Sequence, residues 1–147
     1  MSDTSQVVCG HCGQINRLPA SRASAAAKCG KCHVPIFSGH PIEVDEAAFK
    51  RHLAHSDLPL LVDVWAPWCG PCRAMAPMFE RATAELEPRV RALKLNSDIA
   101  PDVSARFAIS GIPTLLLLKS GQELSRISGA MDSQRIVAWT LSGLGRL

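Results

Sequence analysis

Six cysteines fall into three pairs of one spacing: Cys9/Cys12, Cys29/Cys32 and Cys69/Cys72. Two thiols with two residues between them can close on each other as a redox disulfide, or serve together as ligands of a metal ion. In a reducing compartment either use is commoner than a structural bridge. Local context has to sort the pairs.

Cys9-Gly10-His11-Cys12-Gly13 and Cys29-Gly30-Lys31-Cys32-His33 are sixteen residues apart, the Cys-x2-Cys-x15–20-Cys-x2-Cys spacing of a tetrahedral zinc site. Four thiolates suit a borderline-soft cation, and the glycines permit the tight turns that aim backbone N–H groups at sulfur. The second knuckle ends in His33 where the first has Gly13. His11, His33 or His40 could substitute as ligands, but Cys9, Cys12, Cys29 and Cys32 suffice. Structural Zn2+ is the expected cofactor here, with binding coupled to folding. Cys9-Gly10-His11-Cys12 also has the residues of a protein disulfide isomerase motif. It lacks a buried strand before it and an amphipathic helix after it, so catalysis is not expected there.

Trp68-Cys69-Gly70-Pro71-Cys72 has both. It follows a nearly continuous apolar run at 60–65 and opens a segment with helical spacing. A thiol at a helix N-terminus faces unpaired N–H donors and the positive end of the dipole, which stabilise thiolate. Pro71 fits the first turn, where its missing N–H costs nothing. The two sulfurs can then reach disulfide distance, with Cys69 the more exposed and Cys72 one turn further in. No cofactor is expected at this pair. A third knuckle or a resting structural disulfide are the alternatives; a knuckle favours a flexible loop and a glycine after its second cysteine, whereas Arg73 follows Cys72. Asp63 is a lone carboxylate inside the apolar run. Burial disfavours its ionised form and raises its pKa, so it could exchange a proton with Cys72 through water. A satisfied core aspartate or a solvent-facing strand end fits the same position.

The elements that must hold these groups follow from periodicity. A short strand is expected at 42–44, then a helix capped by Asp45 and running to His55, with Phe49 and Leu53 on one face. Residues 60–65 read as a strand buried on both faces. A helix over about 72–87 carries Met75, Phe79, Ala82 and Leu86, with a kink at Pro77 and an end at Pro88. A strand at 90–96, a short helix at 102–107 and a hairpin of 114–118 with 124–127 come next. Asp132 caps a last helix bearing Ile136, Val137, Leu141 and Leu144. The order β-α-β-α-β-α-β-β-α makes an α/β fold with a central mixed sheet flanked by helices. Residues 1–40 differ, with four cysteines, few large apolar residues and an Ala/Ser-rich stretch at 20–27. Such a segment needs a staple to offset its chain entropy. Turn formers at Phe37-Ser38-Gly39-His40-Pro41 divide a zinc-ribbon-like domain over 1–40 from a second domain over 41–147.

Val62-Asp63-Val64-Trp65-Ala66-Pro67-Trp68-Cys69-Gly70-Pro71-Cys72 resembles the active-site segment of the thioredoxin family. The likeness continues through Gly111-Ile112-Pro113-Thr114, Lys119-Ser120-Gly121 and Gly129-Ala130, over about residues 41 to 147. The preceding segment, with Ile15-Asn16-Arg17-Leu18-Pro19 between its cysteine pairs, resembles the N-terminal extension of the bacterial second thioredoxin type. The resemblance implies a thioredoxin-like three-layer fold plus a small zinc ribbon, and a protein-disulfide reductase. Cys69 would attack a client disulfide and Cys72 would resolve the mixed disulfide. Asp63 would be the general acid/base and Lys94 its neighbour, though an ordinary strand-edge lysine also fits Lys94. Pro113 would be cis, and Trp68, the Ile112 backbone and Gly129 would line a shallow groove for an extended client segment. Implied partners are disulfide-containing proteins and a flavin-dependent thioredoxin reductase fed by NADPH. Val64 and Leu118 stand where aromatic residues are common, so core packing should differ, and Pro67 stiffens the approach to the redox turn.

Composition bounds the rest. Apolar residues make up 47%, charged residues 20%, and the net charge is +3, a globular balance. Residues 1–36 have no aromatic stacking platform and only Arg17, Arg22, Lys28 and Lys31 as cations, so no nucleic-acid partner is expected. Apolar runs such as 115–118 are too short for a bilayer. The opening Met1-Ser2-Asp3-Thr4-Ser5-Gln6 lacks the basic and apolar regions of a secretory signal. A cytoplasmic monomer with no membrane association is the expectation. Two competing functions keep the fold but change its use: a zinc-ribbon binding module, and a zinc-dependent, redox-switched client-binding module that releases metal on thiol oxidation. A periplasmic oxidase is disfavoured by the absent signal and by Gly70-Pro71.

Overall fold

The computed structural model describes residues 4–19 and 26–145, which leaves outside it Met1-Ser2-Asp3, Arg22 and most of the Ala/Ser-rich stretch. The chain opens with an antiparallel hairpin that its polar alternation had not announced, β1 (Thr4–Val8) and β2 (Ile15–Pro19). There follow β3 (Ile42–Val44), α1 (Glu46–His55), β4 (Leu60–Trp65), α2 (Gly70–Leu86), β5 (Arg91–Asn96), α3 (Pro101–Arg106), β6 (Thr114–Lys119), β7 (Gln122–Ser128) and α4 (Ser133–Leu144). The second group builds a five-stranded sheet of order β3-β5-β4-β6-β7. β3, β5 and β4 are parallel, while β6 runs antiparallel to β4 and β7 antiparallel to β6. This is the mixed α/β sheet expected from the order of elements.

β4 is central, and its alternation divides the core. Leu60, Val62 and Val64 belong to one apolar cluster with Phe49 and Leu53 of α1 and Val103 of α3. Leu61 belongs to the other, with Met75, Phe79, Ala82 and Leu86 of α2 and Ile136 of α4. Val64 and Leu118 are buried in the first cluster. Aromatic bulk on that face comes from Phe49 and Phe107, packed edge to face at 6.2 Å.

Two helices, α1 and α4, start with ordinary Asp caps. Asp45 accepts from the Ala48 N–H and Asp132 from the Arg135 N–H. α2 starts at Gly70, two residues before the expected position, because the Cys69 sulfur takes the capping role. The helix runs through Pro77 to Leu86. In α4 the buried stripe is Ile136, Thr140 and Gly143, spaced to meet the sheet. A methyl group at Gly143 would lie 2.5 Å from Leu117. Leu141, expected on the apolar face, is displaced from that stripe and exposed.

The two knuckles are turns closed by Gly13 N–H to Cys9 C=O (3.0 Å) and His33 N–H to Cys29 C=O (2.9 Å). Gly13 sits at φ +80° and His33 at φ +65°, so both adopt the left-handed conformation that glycine enters without cost. Val7, Leu18, Ile36 and Phe37 form a small apolar cluster around them, with Leu58 packed against it. The hairpin is tied to the loop after α1, where Gln6 and Asp57 exchange hydrogen bonds of 2.7 and 2.8 Å. No helix among the described residues is long and apolar enough to cross a membrane.

Candidate active site and metal centre

β4 delivers the chain to the N-terminus of α2, and Cys69 lies between them. Cys69 and Cys72 are joined as a disulfide, with Cα atoms 5.2 Å apart. The Cys72 N–H points at the Cys69 sulfur from 3.2 Å. Cys69 is 5% and Cys72 2% exposed, the order expected for a turn residue and one a helical turn inside.

The surroundings of this bond come from three loops. Trp68 is 67% exposed, held by donation from its indole N–H to the Asp98 carboxylate at 3.0 Å. Asp98 sits in a 3-10 turn, Ser97–Ile99. The Ile112–Pro113 peptide is cis, and the Ile112 carbonyl oxygen lies 3.9 Å from the Cys69 sulfur. Gly129, at φ +101°, donates its N–H to the Pro113 carbonyl at 2.9 Å. Thr114 pins the same corner, donating to the Gly111 carbonyl at 2.6 Å and meeting the Ser128 hydroxyl at 2.9 Å. Ile112 thus packs against the disulfide, Gly129 is tied to the cis-proline corner beside it through Pro113, and Trp68 adjoins it in sequence. Asp98 escaped the sequence reading because a single loop carboxylate carries no spacing signal.

Asp63 is fully buried, and neither carboxylate oxygen has a hydrogen-bond partner among the described residues. Strand alternation turns it to the face of Leu61, the face covered by α2. Burial pushes its pKa up to about 7, against an opposing pull from Lys94. Lys94 stands opposite Asp63 in the β4–β5 register. It is half-buried, with its ammonium 4.5 Å from the centre of the Trp65 ring. Lys94 also lines a surface cavity of about 330 Å³ with Trp65, Asn96 and Ile99.

The other four cysteines converge. Cys9, Cys12, Cys29 and Cys32 place their sulfurs within 4.8 Å of one another, with Cys9–Cys32 at 3.7 Å and Cys12–Cys29 at 3.6 Å. A tetrahedron with Zn–S bonds of about 2.3 Å has sulfur–sulfur edges of about 3.8 Å, so the donor set has the size of a zinc cage. The His11 N–H points at the Cys9 sulfur and the Lys31 N–H at the Cys29 sulfur, each from 3.4 Å. The Asn16 amide approaches Cys29 at 3.5 Å. Hydrogen bonds, foremost from the Cys32 backbone, pull the Cys29 thiol down to about 5. At Cys29 these contacts favour thiolate, the form a metal binds, whereas Cys32, despite a backbone hydrogen bond from Val34, is pushed up to about 12 by burial and the neighbouring thiols. Asn16 carried no signal of its own in the sequence; its amide links the β2 strand to the second knuckle.

Comparison with known proteins bears on both sites. A family model described as Thioredoxin matches residues 40–142, and one described as Thioredoxin 2, N-terminal, matches residues 8–34. Thioredoxin C-3 of Corynebacterium nephridii is 40% identical over 133 residues, covering 90% of this chain and 91% of that protein. A thioredoxin of Porphyra purpurea is 42% identical, covering 64% of this chain and 88% of its own length. The crystal structure of chloroplastic thioredoxin z superposes with a TM-score of 0.64 at 26% identity, covering 72% of this chain and 96% of that one.

Proposed function

The chain belongs to the thioredoxin family and is a thiol–disulfide oxidoreductase; we propose that Cys69 is its attacking thiolate and Cys72 its resolving thiol. The observation that carries these roles is the position of Cys69 as N-cap of α2 with the Cys72 N–H directed at its sulfur. In the reduced chain that donor and the helix dipole stabilise thiolate on Cys69. The thiolate attacks one sulfur of a client disulfide, forming a mixed disulfide and releasing the client's other sulfur as thiolate. Cys72 then gives its proton to the Asp63 carboxylate, through water, and attacks the Cys69 sulfur. The client leaves with both sulfurs reduced, and the chain holds the Cys69–Cys72 bond. Two electrons from a flavin-dependent reductase, drawn from NADPH, reset the pair.

Trp68, Ile112, Pro113 and Gly129 are assigned to the groove that takes an extended client segment, and Lys94 to tuning Asp63. We assign Zn2+ to Cys9, Cys12, Cys29 and Cys32, where it would fix the two knuckles and take no part in the exchange. The division at residues 40 and 41, a monomeric state and a cytoplasmic location complete the reading.

Replacing Cys72 with Ser tests the division of labour. The variant is expected to accumulate a covalent adduct with a disulfide-containing client, visible as a mass shift on a gel without reductant and mapped to Cys69. Absence of the adduct, or its attachment elsewhere, refutes the assignment.

Asp63 supplies a separate test. Its folded pKa of about 7 lies above the ordinary 3.8, so the folded state holds the proton more tightly than the unfolded chain. Its contribution to stability is fully present below pH 3.8 and is lost as pH rises to about 7. The shift corresponds to an upper bound of about 4 kcal/mol. Asp63→Asn should therefore be more stable than the native chain at pH 8, with the gap closing toward pH 4, by urea unfolding. The same variant should reduce disulfides roughly 10- to 100-fold more slowly at neutral pH. Equal rates at all pH values would remove Asp63 from proton transfer.

A further inference from the structure

Arg91 opens β5, a position that in a bare sheet would meet water. Here it is fully buried, the largest side chain among the described residues to be so. Its guanidinium donates to the Ile36 carbonyl at 2.6 Å and to the Val8 carbonyl at 2.8 Å. Val8 immediately precedes Cys9, and Ile36 follows the second knuckle. The guanidinium also lies 5.2 Å from the centre of the Phe37 ring. Its counter-charge is Glu87, the C-cap of α2, at 3.9 Å. The other oxygen of Glu87 accepts the Gly39 N–H at 2.9 Å. Buried His52 of α1 completes the group, held neutral by burial and by the neighbouring arginine charges.

A buried charge is tolerated only where hydrogen bonds replace its water. For Arg91 those bonds come from two backbone carbonyls in different parts of the N-terminal segment. Both carbonyls reach it together only while both knuckles are folded. We propose that Arg91 is an inter-module latch: by gripping the Val8 and Ile36 carbonyls it links metal occupancy of the four-cysteine cage to the stability of the dithiol fold. The link rests on the assignment of zinc to that cage. It is reciprocal, as any coupling between two sites must be, so loosening the latch weakens metal binding by the factor by which metal loss loosens the fold.

The latch sits at the start of β5, in register with Leu60 at the start of β4. Cys69 lies beyond the other end of β4, and that end alone is about 16 Å away along the strand at ~3.3 Å per residue. Its effect is therefore on the cohesion of the sheet and α2. No contact with the exchanging sulfurs is involved.

All three tryptophans, Trp65, Trp68 and Trp139, lie after residue 41, so their fluorescence reports the dithiol fold without the knuckles. The experiment uses the full chain in reducing buffer, with zinc content measured before and after a chelator. In the native chain, zinc removal should lower the Trp-monitored thermal midpoint by several degrees. Amide exchange should show protection lost at 91–93 and at the end of α2, as well as at 4–19. In Arg91→Met/Glu87→Gln, which removes both buried charges together, the chelator-induced shift should shrink by more than half. Zinc affinity, from competition with a chromophoric chelator, should fall at least tenfold. Should the double variant fail to fold, exchange in the native chain decides. Protection loss confined to 4–19 and 26–37 after verified zinc removal overturns the latch, as does a variant with native zinc affinity and a native shift. A chain that binds no zinc refutes the metal assignment instead.

Discussion

Cys69→Ser is expected to abolish turnover: NADPH oxidation coupled through a thioredoxin reductase to a disulfide-containing client should fall at least a thousandfold, to the uncatalysed background. A serine hydroxyl keeps the size of the thiol but is not appreciably ionised at neutral pH, and it cannot form the mixed disulfide on which exchange depends. Cys72 cannot take over. It is 2% exposed and sits inside the first turn of α2, without the N-cap position that stabilises thiolate on Cys69. The substitution should leave the fold standing, because a hydroxyl is a good helix cap and can accept the Cys72 N–H in place of sulfur. Unchanged Trp fluorescence and zinc content would show that the loss is chemical. Residual turnover within tenfold of the native rate would place the nucleophile elsewhere.

The second large effect concerns the metal. Cys29→Ser should strip the chain of zinc in competition with a chelator and unfold the hairpin of β1 and β2. Structural zinc contributes about 10–16 kcal/mol apparent in finger peptides, well above what the Gln6–Asp57 and Arg91 hydrogen bonds to this segment can supply. Its apolar cluster is built around Val7, Leu18, Ile36 and Phe37, too small to offset the entropy of ordering the segment. Cys29 is the ligand with the densest hydrogen bonding, from Lys31 and Asn16, so its loss should not be made good by neighbouring His33. Amide exchange reads the outcome directly. A metal-free variant in which 4–19 stayed protected would show that the hairpin stands on packing alone.

What the sequence disclosed follows physical lines. The run at 60–65 reads as a doubly covered strand, and the spacing of Met75, Phe79, Ala82 and Leu86 as the buried face of a helix. Those two elements fix where Cys69 and Cys72 lie. The early start of α2 was hidden because its cap is a sulfur, outside the usual set of Ser, Thr, Asp and Asn. Arg91 was unreadable for a different reason. An arginine opening a strand looks like a surface residue until another part of the chain is laid over it, and the knuckles that cover it are more than fifty positions away. Asp98 and its bond to Trp68 share that cause, since partners thirty residues apart leave no local trace. Asp63 was legible as buried from its neighbours, while its lack of a hydrogen-bond partner among the described residues became visible only in three dimensions.

The arrangement of the six sulfurs has one more consequence. The four knuckle sulfurs gather beside edge strand β3, where the Gly10 turn presses on Ile42, and the exchanging two lie past the far end of β4. Thiol exchange needs sulfurs in contact, so within one molecule the two sets are insulated from each other although every pair has the same spacing. Scrambling between them would have to be a collision of two molecules, with a rate that grows as the square of protein concentration, and dilution would suppress it.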